Sequence, residues 1–256
     1  MAVKKRTILI TGASSGVGAA LAEEFSGSNH RLVLLARNEK RLGAVADTCR
    51  SAGSEVVVRM LDVCDAEAVE ACVAKLEQKF PVDMAIANAG IMESVDEPRT
   101  LEPVGMTMRQ MHTNYGGAVN VAVAVASRMR TRRNGQIVLV ASQAGLQPVA
   151  DLPGYSASKA ATISYGEALG NFLKPDGVVV TVVSPGFITT PMLDGYENFR
   201  PFEMSARDAA RRIRKAAESR RRYVEFPFLL ALVARLGRLL PAALRYYATR
   251  PFNFVK

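Results

Sequence analysis

Seven short runs of apolar, largely branched residues, separated by segments of helical length, constrain this chain more than any other feature. They are TILIT at 7–11, RLVLLA at 31–36, EVVVRML at 55–61, DMAIAN at 83–88, QIVLVAS at 136–142, VVVTVV at 178–183 and the shorter RYVEF at 222–226. Most are continuous in Val, Ile and Leu, as strands covered on both faces must be. Between them, stretches such as 42–52 and 66–80 repeat their apolar residues at helical spacing. Such alternation predicts an α/β fold, a doubly wound parallel sheet of about seven strands with helices on both faces. Right-handed crossovers then bring the C-terminal ends of the strands to one edge, where ligands bind. No repeat or linker interrupts 1–190. Residues 1–226 therefore read as a single domain, and 227–256 as a helical extension beyond it.

Composition excludes several classes. The 256 residues are 49% apolar and 22% charged, ordinary globular usage that needs no disulfide or metal staple. Cys49, Cys64 and Cys72 form no C-x-x-C pair and read as reduced thiols. With only His30 and His112 beside them, no metal site is expected. The longest uncharged stretch, 110–127, contains Gln, His and two Asn, so it is no membrane span. The apolar run before Gly12 is too short for a signal-peptide core. A soluble cytoplasmic protein is the expectation. The net charge of +9 is unevenly placed: residues 1–198 hold 19 basic and 20 acidic side chains, residues 199–256 hold 14 and 4. No zinc-finger, RNP or KH pattern accompanies this basic end, so nucleic acid is not the expected partner.

The chemistry begins where the first run enters T-G-A-S-S-G-V-G, Thr11 to Gly18, ahead of a helical segment. Gly12, Gly16 and Gly18, with Ser14, Ser15 and Val17 between them, make a tight turn that lets a pyrophosphate approach backbone N–H groups at a helix start. A strand, a glycine turn and a helix in that order read as a Rossmann-like dinucleotide site. Further motifs follow at fixed places. Asn88-Ala89-Gly90 ends the fourth run, Asn114 stands in N-Y-G-G, and Ser142 ends the fifth run. Tyr155 and Lys159 bracket Y-S-A-S-K, and Pro185, Gly186, Ile188 and Thr190 belong to P-G-F-I-T-T.

In this order and spacing the chain resembles the short-chain dehydrogenase/reductase family over about residues 5–190, with Ala87 in place of the first Asn of the family's N-N-A-G. The resemblance implies an NAD(P)-dependent oxidoreductase. In it Tyr155 exchanges the proton, Ser142 hydrogen-bonds the substrate oxygen, Lys159 also holds the nicotinamide ribose, and Asn114 supports a water linking Lys159 to solvent. It further implies cofactor contacts at Asn88, Ala89, Gly90, Pro185, Gly186, Ile188 and Thr190, and an adenine contact at Asp62 and Val63.

The Tyr–Lys pair is informative by itself. Residues 155–173 carry a helical pattern, so Tyr155 and Lys159 share one helix face at i and i+4. An ammonium beside the phenol favours phenolate and is expected to bring the tyrosine from about 10 toward working pH. A group titrating there serves carbonyl reduction or alcohol oxidation as general acid or base. The end of the second strand carries Ala36-Arg37-Asn38, with no carboxylate to accept from an adenosine ribose 2′-OH. Arg37 can instead pair with a 2′-phosphate, with Ser14 as a second contact. NADP(H) is therefore expected in preference to NAD(H).

The substrate region should lie after Gly90, Ser142 and Gly186, with 187–205 as its loop. Ile91, Met92, Leu146, Val149, Leu152, Met192, Leu193, Tyr196 and Phe199 outnumber polar residues there. A small hydrophobic carbonyl or secondary alcohol is the expected substrate. Two alternatives are an NAD(H)-dependent enzyme acting on a lipid-like alcohol at a membrane surface and a cofactor-binding regulator without turnover. The latter would tolerate loss of Tyr155 or Lys159, and neither is lost.

Two expectations concern partners. The stretch VNVAVAVASRM at 119–129 is apolar around much of its circumference, more than one buried face requires. The resemblance implies a homo-oligomer, dimer or tetramer, paired through the helices holding Asn114 and Tyr155, with a homodimer preferred. In the extension, Arg235, Arg238 and Arg245 fall on one side of a helix, opposite Leu232, Val233, Leu236, Leu239, Leu240 and Leu244. Gly237 weakens that helix and Pro241 should kink it. It reads as a helix packed on its own domain or a dimer mate with a solvated basic face, as a peripheral anchor at an anionic membrane surface, or as a dock for an acidic carrier protein.

Overall fold

A computed structural model describes residues 5–95, 100–194, 199–241, 244 and 247. A seven-stranded parallel sheet organises them. Its strands are β1 (Arg6–Thr11), β2 (His30–Ala36), β3 (Glu55–Met60), β4 (Met84–Ala87), β5 (Gly135–Val140) and β6 (Val178–Pro185). After a small pair, β7 (Ile188–Thr189) and β8 (Met204–Ser205), the last strand β9 (Tyr223–Phe226) joins the edge. The order is β3-β2-β1-β4-β5-β6-β9, which reverses direction between β1 and β4. A crevice at the carboxyl ends of those two strands is the natural ligand site of such a sheet.

Strand alternation sorts the core into two layers. Ile8 and Ile10 point with Leu32 and Leu34 toward α1 (Gly16–Glu24), α2 (Glu39–Ser51) and, later in the chain, α7 (Ala206–Glu218). Leu9, Val33 and Leu35 point the other way, with Ile137 and Leu139, toward α3 (Ala66–Glu77), α5 (Gly117–Arg132) and α6 (Pro153–Leu173). A short helix α4 (Val104–Gln110) leads into α5, and α8 (Phe228–Gly237) follows β9. The two edge strands, β3 and β9, depart from the expected double burial, and β3 leaves Arg59 and Met60 exposed.

Local chemistry sets the boundaries. Asn38 Oδ1 accepts from Arg41 N at 2.9 Å and starts α2 ahead of its apolar pattern. Asp65 does the same for α3, accepting from Ala68 N at 2.9 Å, and Pro153 opens α6 at a position where its missing N–H costs nothing. Gly237 ends α8, as its low helix propensity suggests. Among the described residues no helix is long and apolar enough to cross a membrane, and no cluster of His, Cys, Asp or Glu could hold a metal.

Candidate active site

A cleft of about 1000 Å³ runs along the carboxyl edge of the sheet. It begins at the turn from β1 to α1, where Gly12 and Gly16 take φ of 65° and 53°. A Cβ on Gly18 would lie 2.1 Å from the Gly12 carbonyl oxygen and 2.6 Å from Asn88 Nδ2, so only glycine lets α1 start this close to the strand. Ser15 precedes α1 without a side-chain capping bond, and the first turn carries no acid. The first amide N–H groups and the positive helix end are thus left to an anion. The open space over the glycines and these donors fit the pyrophosphate of a dinucleotide.

Thr11 builds the floor beside this cradle. Its Oγ1 accepts from Asn88 N and Ala89 N, both at 3.0 Å, and its carbonyl accepts from Asn88 Nδ2 at 3.1 Å. The N-A-G segment is therefore held by the last residue of β1. Motif reading passed over Thr11 because its role is a contact across 77 residues of sequence.

At the adenosine end, Arg37 is already partnered. Its Nη1 lies 3.4 Å from Asp62 Oδ2, with both side chains exposed. Asp62 also accepts from Cys64 N at 3.0 Å. That backbone bond, with help from the Arg37 guanidinium, holds its carboxyl below the usual range. The residue expected to meet a phosphate and the one expected at adenine thus face each other across the mouth. Arg41 also lines the cleft, a cation that the sequence motifs did not single out.

The reacting end is set in the first turns of α6, where Tyr155 and Lys159 are both buried. Lys159 Nζ donates to the Val140 carbonyl at 3.0 Å and lies 5.7 Å from the centroid of the Tyr155 ring. Burial depresses Lys159 to about 8. It pushes the Tyr155 phenol up, and contact with the Ser142 hydroxyl offsets only part of that. The expected lowering of the tyrosine is therefore corrected for the free protein. The ammonium is engaged by Val140, and desolvation of a buried phenolate is the larger effect.

Ser142 lies just past β5 in extended backbone and caps the turn that follows, its Oγ accepting from Ala144 N at 3.1 Å. That turn lies directly on α6: a Cβ on Gly145 would stand 2.6 Å from the Lys159 carbonyl carbon. This close approach sets Ser142 against Tyr155.

Asn114 sits behind the cleft wall, in a π-helical turn (Met111–Gly116) between α4 and α5. Such wide turns recur at functional sites. Asn114 Nδ2 donates to the Ile91 carbonyl and to Ser158 Oγ, both at 2.9 Å, and Oδ1 accepts from Ile91 N at 2.7 Å. Ser158 Oγ in turn donates to the Tyr155 carbonyl at 2.7 Å. The Asn114 amide is thus engaged in joining the strand end after Gly90 to α6.

Gly12, Ser14, Ser15, Gly16, Val17, Arg37, Asp62, Val63, Asn88, Ala89, Gly90, Ser142, Tyr155, Lys159, Pro185, Gly186, Ile188 and Thr190 all line this one cleft; Gly18 lies beneath it. Met92, Leu152 and Met192 line it as well, with Ile91, Val149 and Leu193. Two expectations fail there. Leu146 packs into the core with Ile163 and Ala231, and Phe199 is exposed away from the lining. Tyr196 lies outside the described residues. The β7–β8 pairing of Ile188 with Met204 closes the base of the 187–205 loop.

The largest surprise is α8. Its Leu230, Val233, Ala234 and Leu236, with Leu240 beyond, line the cleft. The two arginines are partnered at the surface: Arg235 forks onto Glu225 at 2.8 Å, and Arg238 Nη2 reaches the Gly145 carbonyl at 3.5 Å. Both residues stay exposed, so the basic face remains at the surface at these positions, and Arg245 lies outside the described residues. The apolar stripe was visible in sequence. Its direction was not, because it depends on where Glu225 stands.

Residues 6–200 match the short chain dehydrogenase family. An uncharacterized oxidoreductase of Myxococcus xanthus is 34% identical over 247 residues, covering 96% of each chain. Among solved structures, a short-chain dehydrogenase from Sphingobium yanoikuyae in complex with NADPH superposes with a TM-score of 0.80 at 29% identity, covering 95% of each chain. A short-chain dehydrogenase/reductase from Burkholderia phymatum in complex with NAD gives 0.82 at 26% identity, covering 93% of this chain and 95% of its own.

Proposed function

The chain belongs to the short-chain dehydrogenase/reductase family of NAD(P)-dependent oxidoreductases, and on that premise we propose an NADP(H)-dependent enzyme acting on a hydrophobic carbonyl or secondary alcohol, with Tyr155 as its acid/base. The observation that carries this reading is the burial of Tyr155 and Lys159 beside Ser142, in the same cleft as the glycine cradle.

Bound nicotinamide supplies or accepts the hydride; the chain's own residues manage the proton and the oxygen. With burial favouring the neutral phenol, Tyr155 is poised to donate to a developing alkoxide, and in the reverse direction its phenolate removes the alcohol proton. Ser142 Oγ orients the substrate oxygen toward it. Lys159, once a second acceptor such as the cofactor's ribose shares its ammonium with Val140, holds cofactor and phenol in one geometry. Asn114 acts as a positioning residue, since its amide fixes both wall segments; any water it supports must use its main-chain carbonyl.

Arg37 and Arg41 at the adenosine end, with no carboxylate on the residue after β2, support NADP(H), which the NADPH complex of the Sphingobium relative makes compatible with the fold. Exposed Val123 on α5 and Phe172 on α6 support a homo-oligomer paired through those helices. A screen of NADPH and NADH oxidation against ketones, aldehydes, steroids and β-ketoacyl thioesters tests the reading. Turnover faster with NADPH supports it, and no turnover with either cofactor would overturn it.

A further inference from the structure

α8 is tethered at two points. Arg235, itself half-exposed, is paired with Glu225, a carboxylate whose side chain is only 9% exposed. The helix base is tied to the loop after Ser142, since Gln143 Nε2 donates to the Pro227 carbonyl at 3.1 Å. Ala231 is its one buried residue. Leu229, Val233 and Leu236 are meanwhile each more than half exposed, a costly arrangement in water.

The cleft supplies the reason. Val233, Leu236 and Leu240 line it and are still 58%, 54% and 41% exposed. One apolar surface therefore runs from inside the cleft, which Met192 also lines, onto the exposed part of the helix. Charged side chains in the lining stand elsewhere: Arg37, Arg41 and Asp62 at the adenosine end, and Lys159 at the reacting point. Among the described lining residues, a carboxylated or phosphorylated arm finds no partner at the α8 end. An alkyl chain does, along about 10 Å of helix rise from Leu230 to Gly237.

We infer that α8 is a preformed seat for the hydrocarbon tail of an amphiphilic substrate, whose carbonyl or hydroxyl reacts at Ser142 and Tyr155 while the tail lies on Val233, Leu236 and Leu240. The inference rests on the oxidoreductase reading of the cleft and names the substrate class it serves. Because Arg235 and Gln143 hold the helix in place, the tail meets an ordered surface, and burying methylenes there drives binding.

The test is a chain-length series of methyl ketones, from 2-butanone to 2-tridecanone, on the full chain with NADPH. Their affinity for the enzyme–NADP⁺ complex is read by calorimetry beside turnover. Each added methylene should raise kcat/KM and affinity about two- to fourfold until the tail outruns the helix. Leu236→Asp and Val233→Asp should flatten that slope, whereas Leu239→Asp, 81% exposed and outside the cleft lining, should keep it. Turnover without any length dependence would overturn the inference and leave the oxidoreductase reading standing. Affinity that climbs with length without turnover would do the reverse. Absence of both turnover and binding of the long ketones would also overturn the inference. If the slope is flat and Leu239→Asp abolishes self-association or flotation with phosphatidylcholine vesicles, the face meets another copy or a bilayer, and the inference fails.

Discussion

Lys159 holds its ammonium 5.7 Å from the ring centroid of Tyr155 while giving a hydrogen bond to the Val140 carbonyl, so the two titrating groups of the site are buried together without a direct bond. Between about pH 8 and the free-lysine value of 10.5, the folded protein binds fewer protons at Lys159 than the unfolded chain does. Stability from this site therefore rises with pH across that window. Tyr155, shifted upward, acts in the opposite sense, but only above its ordinary value of 10. Lys159→Met should make the cofactor-free protein more stable at pH 7, by up to about 3 kcal/mol, with the advantage shrinking toward pH 10. Urea unfolding of both proteins at pH 7, 8 and 9 checks this, and a pH-independent difference contradicts it.

The same upward shift of Tyr155 fixes how the two reaction directions respond to pH. Reduction uses the neutral phenol, so it should be flat through neutrality. Oxidation needs phenolate and should climb with pH. Initial rates in both directions from pH 6 to 10 decide it; parallel profiles would assign the proton to another group.

Arg37 must leave or share Asp62 to take a 2′-phosphate. Arg37→Ala should weaken NADPH binding by roughly 1.5–3 kcal/mol, about ten- to a hundredfold, and leave NADH nearly unchanged. Asp62→Asn should tighten NADPH modestly by freeing the guanidinium. Titration calorimetry with both cofactors separates these outcomes, and equal losses for the two would reject the NADP(H) assignment.

Two glycines predict opposite effects of one added methyl. Gly18→Ala drives a Cβ into the Gly12 carbonyl and should cost about 1–3 kcal/mol along with cofactor affinity. Gly43, inside α2, has nothing within 4 Å of a Cβ, so Gly43→Ala should gain about 1 kcal/mol. In thermal melts that is a rise of about 2–4 °C for Gly43→Ala and a fall for Gly18→Ala. A Gly18→Ala protein with unchanged Tm and NADPH affinity would show that the cradle is not as tight as described.

Pairing through α5 and α6 predicts that Val123→Asp, on an exposed surface of the protomer, lowers the mass seen by light scattering at micromolar concentration without lowering protomer helicity. A wild-type monomer at that concentration would remove the proposed interface.

Much of this was legible beforehand, for identifiable reasons. β1, β2, β5 and β6 announce themselves because strands buried on both faces leave little but Val, Ile and Leu. The glycine turn and Y-S-A-S-K do so because each motif is local. What escaped depends on contacts distant in sequence. Thr11 grips Asn88, Asn114 grips Ile91 and Ser158, and Arg37 meets Asp62. The rise of Tyr155 reflects burial, which i and i+4 spacing does not report. The stripe on α8 was plain, but its orientation turns on Glu225.

Turnover and NADPH binding by Tyr155→Phe, measured together, test the central claim most directly. The account predicts a kcat lower by orders of magnitude with NADPH affinity retained, because only the exchangeable proton is removed from the site. A variant that keeps most of its turnover while binding NADPH normally would contradict it.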